Sequence, residues 1–164
     1  MTATHPPART PSSGDRRTAW LLVLGQFVLL GLVVLLPHAD AWTVPAAAAR
    51  AAQVAAVVGI VVMVVAGIAL GRGLTAAPLP NSHAELRTGG LYRFVRHPIY
   101  SGLLLLAVAL TFTSGSPWTA AACAALVVLI NAKARWEERH LTERFPGYAA
   151  YAERTPRFIP GMAR

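Results

Sequence analysis

Four apolar runs set the pattern of the chain. The first extends from about Ala19 to Leu36 and contains one polar side chain, Gln26. The second extends from about Ala51 to Gly71 with Gln53 as its polar position, the third from Pro98 to Thr113, and the fourth from Pro117 to Ala132, ending near Asn131. A bilayer core of about 30 Å needs roughly 20 helical residues, which the first two runs supply. The last two have about 16 residues, or roughly 24 Å of helix, each. They reach across with flanking residues snorkelling or the bilayer thinning locally. The short connection Ser114-Gly115-Ser116-Pro117 predicts an antiparallel helical hairpin, with a re-entrant hairpin as the alternative. The predicted fold is all-α: an integral membrane bundle of four transmembrane helices, the third and fourth forming the hairpin, followed by a cytosolic C-terminal helical tail. Residues 1–17, rich in Pro, Ser, Thr and Arg, read as a flexible cytosolic tail and residues 18–164 as a single membrane domain. The first run is too long for the apolar stretch of a signal peptide and lacks a convincing cleavage site.

Composition agrees with the pattern. The 164 residues are 55% hydrophobic and 13% charged, about half the charged share of a soluble domain. Once the apolar runs are set aside, no room is left for a Rossmann-type domain. The net charge of +8 suits nucleic acid or an anionic membrane face, and the position of the charges decides between them. Of the 15 Lys and Arg residues, only Arg50 lies between the first and second runs, and none lies between the third and fourth. All the others precede the first run, separate the second from the third, or follow the fourth. The positive-inside rule then places both termini and the middle loop in the cytoplasm. The basic excess is topology, and nucleic acid is not an expected partner. The single cysteine, Cys123, lies inside the fourth run as a packing residue, and the five histidines show no metal-ligand spacing.

Unusual polar residues collect in two segments that flank the hairpin, residues 81–100 and 131–160. Folding the hairpin brings them to one membrane face. In the first, Arg96-His97-Pro98 stands where a helix begins, with Pro98 at a position that tolerates its missing N–H. Donors and the aromatic residues Tyr92 and Tyr100 at a helix start suit an anionic group such as a carboxylate. The same residues also fit ordinary interfacial anchoring. In the second segment, Lys133 and Glu137 lie one turn apart on one helix face, with Glu138 adjacent. They fit either a salt-bridged helix end or a carboxylate that holds an ammonium group. Gly71-Arg72-Gly73 closes the second run, as a helix end or as a weak G-x-G motif. Trp136, Leu141, Phe145, Tyr148 and Tyr151 interleave with charges, and Pro146-Gly147 breaks the helix. This predicts a tail that folds back against the membrane face or over a pocket.

The stretches LRTGGLYRFVRHPIYSG and RWEERHLTERFPGYAAYAERTPRFIP resemble the isoprenylcysteine carboxyl methyltransferase and phospholipid methyltransferase superfamily, over roughly Gly71 to Pro160. The resemblance implies an integral membrane enzyme with S-adenosyl-L-methionine in a cytosol-facing pocket formed by these two segments. By position it implies cofactor contacts from Tyr92, His97, Pro98, Ile99 and Tyr100. Backbone contacts would come from a strand-like stretch, Leu86, Arg87, Thr88, Gly89 and Gly90, and the acidic contact from Glu137. Arg96 with His97 suits the cofactor carboxylate, and Glu137 its ammonium. Lys133 stands where the isoprenylcysteine branch has a substrate-contacting arginine, and lysine lacks the planar bidentate fork. Lys133 and Glu138 are the catalytic candidates, with His140 a further candidate base.

The expected reaction is methyl transfer to a lipophilic small-molecule or lipid acceptor taken from the membrane, a carboxylate first, without a metal. A phospholipid amine is the alternative acceptor. A sterol-type membrane reductase and a non-catalytic membrane scaffold are the alternative functions. The Ala, Val and Arg bias is that of a high-GC bacterial chain, which points to the inner membrane.

Overall fold

The computed structural model describes residues 12–75, 79 and 85–162. His83 and its neighbours at 81–84, part of the middle polar segment, lie outside the described residues.

Five α-helices and two 3-10 turns follow from local signals in the chain. Helix α1 (Ser13–Leu35) begins with a capping box: Asp15 N–H donates to Ser12 Oγ at 3.1 Å, and Ser12 N–H donates to Asp15 Oδ2 at 2.9 Å. The helix therefore starts inside the segment that composition reads as a tail. Helix α2 (Ala46–Leu70) follows Pro45 and runs into a 3-10 turn, Gly71–Gly73. Gly71 has φ +52° there, a conformation that favours glycine. Helix α3 (Pro98–Ser114) starts on its proline and stops at Gly115, which is left-handed at φ 61°. Helix α4 (Pro117–Arg144) also starts on a proline and continues well past the apolar run. Pro146 and Gly147 separate it from α5 (Tyr148–Arg154). No strand occurs among the described residues. The stretch from Leu86 to Gly90, expected to be strand-like, is irregular and leads into the second 3-10 turn, Gly90–Arg93. Its neighbours are helices, and an extended segment becomes a strand only when a second one pairs with its backbone.

Helices α1, α2 with its 3-10 turn, and α4 are long and apolar enough to cross a membrane, while α3, with 17 residues, is a shorter apolar helix. Leu21, Leu24 and Phe27 on α1 and Val57, Val61 and Ile68 on α2 are exposed, which is the surface a lipid environment covers. The core lies between α1, α3 and α4, where Val33, Leu103, Ala107, Leu126 and Ile130 are buried together. Helix α2 packs chiefly on α3. Their closest approach is at two glycines: a Cβ on Gly59 would sit 2.6 Å from the Gly102 carbonyl oxygen, and one on Gly102 2.5 Å from that of Gly59. Lipid gives apolar helices no hydrophobic reason to associate, so close backbone packing has to hold the pair.

At one end of the bundle the α1–α2 loop is bonded to the α3–α4 turn. Ala39 N–H donates to the Ser114 carbonyl at 2.9 Å, Ala41 N–H to that of Gly115 at 3.1 Å, and Trp42 Nε1–H to that of Phe112 at 2.9 Å. Both polar segments meet at the opposite end.

Substituting Gly59 by Val should destabilise the α2–α3 contact by about 1–3 kcal/mol, the usual range for overpacking. Gly31→Ala, where a Cβ meets nothing within 4 Å, should change stability little. Thermal unfolding of both variants in detergent checks this.

Candidate active site

A cavity of about 400 Å³ opens at that end, within the range of small-molecule sites. Its walls come from every part of the chain. Helix α4 supplies Lys133, Glu137 and Leu141, and the start of α3 supplies His97, Pro98, Ile99 and Tyr100. Gln26 and Phe27 come from α1, Leu70 and Gly73 from the end of α2, and Phe145, Tyr148 and Tyr151 from the tail. Of the expected site residues, Leu86, Arg87, Tyr92, Arg96, His97, Pro98, Ile99, Tyr100, Lys133 and Glu137 line the cavity. Thr88, Gly89, Gly90 and Glu138 are not among its lining residues.

Glu138 instead sits behind the wall as a joint between three segments. Its Oε1 accepts from Arg96 Nε at 2.8 Å and from Arg157 Nε at 3.0 Å, and His97 Nε2 is 3.2 Å away. Its Oε2 accepts from Arg157 Nη2 at 2.6 Å. Arg157 also donates to Asn131 Oδ1 at 3.2 Å, and its bonds to Glu138 raise its pKa above the usual arginine value. Arg96, nearly buried, donates through Nη1 to the carbonyls of Ala152 and Thr155 in the tail. The backbone continues the attachment. Arg96 N–H donates to the Pro156 carbonyl at 2.8 Å, His97 N–H to that of Arg157 at 3.1 Å, and Ser101 Oγ to that of Phe158 at 2.7 Å. The tail carbonyls thus accept from two backbone N–H groups at the start of α3. Both carboxylate oxygens of Glu138 and the Nε and Nη1 of Arg96 are thus engaged inside the protein, while Arg96 also lines the cavity.

Glu137 faces the other way. Its Oε2 accepts from Tyr100 Oη at 2.8 Å, with His97 Nδ1 at 3.9 Å. The Tyr100 and His97 rings stack at 5.3 Å between centroids. One turn earlier on the helix, Lys133 is almost fully buried. Its Nζ donates to Gln26 Oε1 at 2.6 Å and lies 5.2 Å from the Tyr100 ring centroid. Tyr92 donates to the Ala66 carbonyl at 3.3 Å, and Tyr151 donates to the Tyr92 carbonyl. Tyr148 Oη is buried with no hydrogen-bond partner among the described residues. Burial pushes Tyr151 up to about 12 and raises Tyr92 and Tyr148 too, so all three are protonated at neutral pH. His140 packs on Trp136 at 4.0 Å, with Nε2 3.9 Å from Asp15, and is not among the lining residues. Cys123 is buried in the core. Among the described residues no group of three or more His, Cys, Asp or Glu side chains is placed to hold a metal ion.

Four contributors were not singled out from sequence. Gln26 was visible as the one polar side chain of the first run. Tyr148 and Tyr151 stood in the aromatic pattern of the tail without an assigned role. Arg157 gave no signal, because its partner lies on another helix.

Glu138→Ala leaves two guanidinium groups without their carboxylate in a largely buried site and should cost about 3 kcal/mol or more. Arg157→Ala should cost less and make residues 145–158 more susceptible to protease. The double variant should fall short of the sum, because both residues belong to one network. Thermal unfolding and limited proteolysis in detergent read these effects.

Comparison with known proteins agrees with this arrangement. The phospholipid methyltransferase family model matches residues 48–147, more than half of the chain. The cobalt-zinc-cadmium resistance protein CzcN of Cupriavidus metallidurans is 38% identical over 79 residues, which cover 48% of this chain and 37% of that protein. The protein-S-isoprenylcysteine O-methyltransferase B of Arabidopsis thaliana is 36% identical over 80 residues, covering 48% of this chain and 41% of the relative. The aligned region thus spans about two-fifths of the length of these curated relatives. No solved structure gives a significant match. The matched residues include α3, the whole of α4 and the turns before α3, which build most of the cavity, and the chain belongs to the phospholipid methyltransferase family.

Proposed function

We propose that the protein is an S-adenosylmethionine-dependent membrane methyltransferase whose acceptor is a lipophilic carboxylate. The observation that carries this reading is the pairing of opposite charges on one face of α4. Glu137 and Lys133, one turn apart, line the same cavity. The donor set fits a sulfonium nucleotide. Glu137 suits an ammonium group, and the Tyr92 and Tyr100 rings suit a cationic sulfur. Tyr148 Oη is a buried polar group beside the cavity without a partner among the described residues, and Leu86, Leu141 and Phe145 offer apolar wall for a base. S-Adenosylmethionine supplies an activated methyl group on sulfur.

The residues of the chain have only to align and shield the reaction. Lys133 would hold the acceptor carboxylate while Glu137 and Tyr100 orient the donor. One acceptor oxygen forms a bond to the methyl carbon as the carbon–sulfur bond breaks. The products are a methyl ester and a neutral thioether, and no proton moves. An amine acceptor would need a group to take its proton. Glu138 is held by two arginines and His140 is not at the cavity, so neither candidate base is placed to serve an amine; with Glu137 given to the donor, the reading takes the carboxylate over a phospholipid amine. The charge distribution along the chain supports an orientation with both termini in the cytoplasm, and the Ala, Val and Arg bias a bacterial inner membrane, so that donor would reach the cavity from water and acceptor from lipid.

Calorimetric titration of the purified protein in detergent tests this reading. S-Adenosylhomocysteine should bind, and Glu137→Gln should weaken it by about tenfold or more, the worth of a charged hydrogen bond, with little change in thermal stability. His97→Ala should also weaken it. Binding of a nicotinamide nucleotide in its place would contradict the reading. Labelled methyl donor with host lipid extract should yield a base-labile methyl ester; a labelled N-methyl lipid would contradict the carboxylate assignment.

A further inference from the structure

Gln26 lies outside the matched family segment, on a helix that otherwise contributes chiefly apolar surface. It stands nine residues after Arg17, about 14 Å further along the helix, at a depth where an amide needs a hydrogen-bond partner. Its partner is the ammonium of Lys133 at 2.6 Å. Among the described residues no carboxylate lies within 4 Å of that ammonium. Lys133 therefore sits in a nearly dry position with a neutral amide and the face of Tyr100 for company. An ammonium has three donors, and Gln26 accepts one of them. Glu137, one turn away on the same helix face, lies beyond 4 Å of it, so this buried ammonium can still take an anion.

We propose that Gln26 is the positioning residue for the acceptor, tethering the Lys133 ammonium at the cavity without cancelling its charge, so that the site selects lipids with an anionic head over neutral ones. This rests on the carboxylate reading above and adds a residue of α1 to the site. The choice of side chain follows from electrostatics. A glutamate at position 26 would form a buried ion pair with Lys133 and remove the attraction for an incoming carboxylate. A leucine would release the ammonium to wander toward water along its flexible stem. The amide fixes direction and leaves the net positive charge in place.

The test uses the full chain in lipid nanodiscs, with palmitate and palmityl alcohol as matched probes and S-adenosylhomocysteine as an independent probe of the rest of the cavity. The native protein should bind palmitate at least about tenfold more tightly than the alcohol. Gln26→Glu should abolish that preference, and Gln26→Leu should reduce it by severalfold. Gln26→Asn, a shorter amide, should retain part of it. S-Adenosylhomocysteine affinity should stay within about twofold in all three, which also reports that each variant is folded. Equal binding of acid and alcohol by the native protein, or an unchanged preference in Gln26→Glu and Gln26→Leu, overturns the proposal. Failure of the native protein to bind S-adenosylhomocysteine counts against the methyltransferase reading alone, because the acid preference still reads the role of Gln26, with thermal unfolding then reporting the fold.

Discussion

The joint at Glu138 is the interaction on which the rest of the site depends. A carboxylate on α4 receives a guanidinium from the start of α3 and another from the C-terminal tail, so three segments far apart in the chain are locked at one point. Without it the tail loses its ion pair with α4 and keeps the bonds of Arg96 to its carbonyls, of Arg157 to Asn131 and of the backbone. Tyr148 and Tyr151 would then lose their place in the cavity wall. One carboxylate and two guanidinium groups are tolerable here because nearly every donor and acceptor is matched, and removal of one partner leaves the others exposed to a low-dielectric surrounding. The two adjacent glutamates thus divide the work by direction: Glu138 points toward the tail and Glu137 toward the cavity.

The same rule, that polar groups in a membrane bundle need partners inside it, explains where several other polar groups lie. Trp42 and the α1–α2 loop answer the exposed carbonyls at the end of α3. Gln26 answers Lys133. At one end these bonds serve only to close the bundle. At the other they leave a hollow between helix ends, with a carboxylate and an ammonium turned into it.

Much of this was legible in the sequence. The apolar runs, the prolines at 98 and 117 and the glycine at 115 mark the helices that form, and the two polar segments flanking the hairpin do meet. Local patterns carry such features because each depends on neighbours within a turn or two. The role of Arg96 was harder to read. A basic residue at a helix start suits an anionic ligand equally well as an internal carboxylate, and only the position of residue 138 favours the second. The start of α1 was missed because Ser12 and Asp15 sit within a tract whose overall composition reads as a tail, while a cap needs only those two side chains. The irregular course of 85–88 was missed because strand character depends on a pairing partner that the sequence does not reveal.

The account holds that the tail, the start of α3 and the polar third of α4 form one cavity for a sulfonium nucleotide. Hydrogen–deuterium exchange of the full protein, with and without saturating S-adenosylhomocysteine, tests this most directly. Protection should rise together in residues 92–100, 133–141 and 145–158 and stay unchanged in the α1–α2 loop. Unchanged exchange in the tail, with the ligand bound, would contradict it.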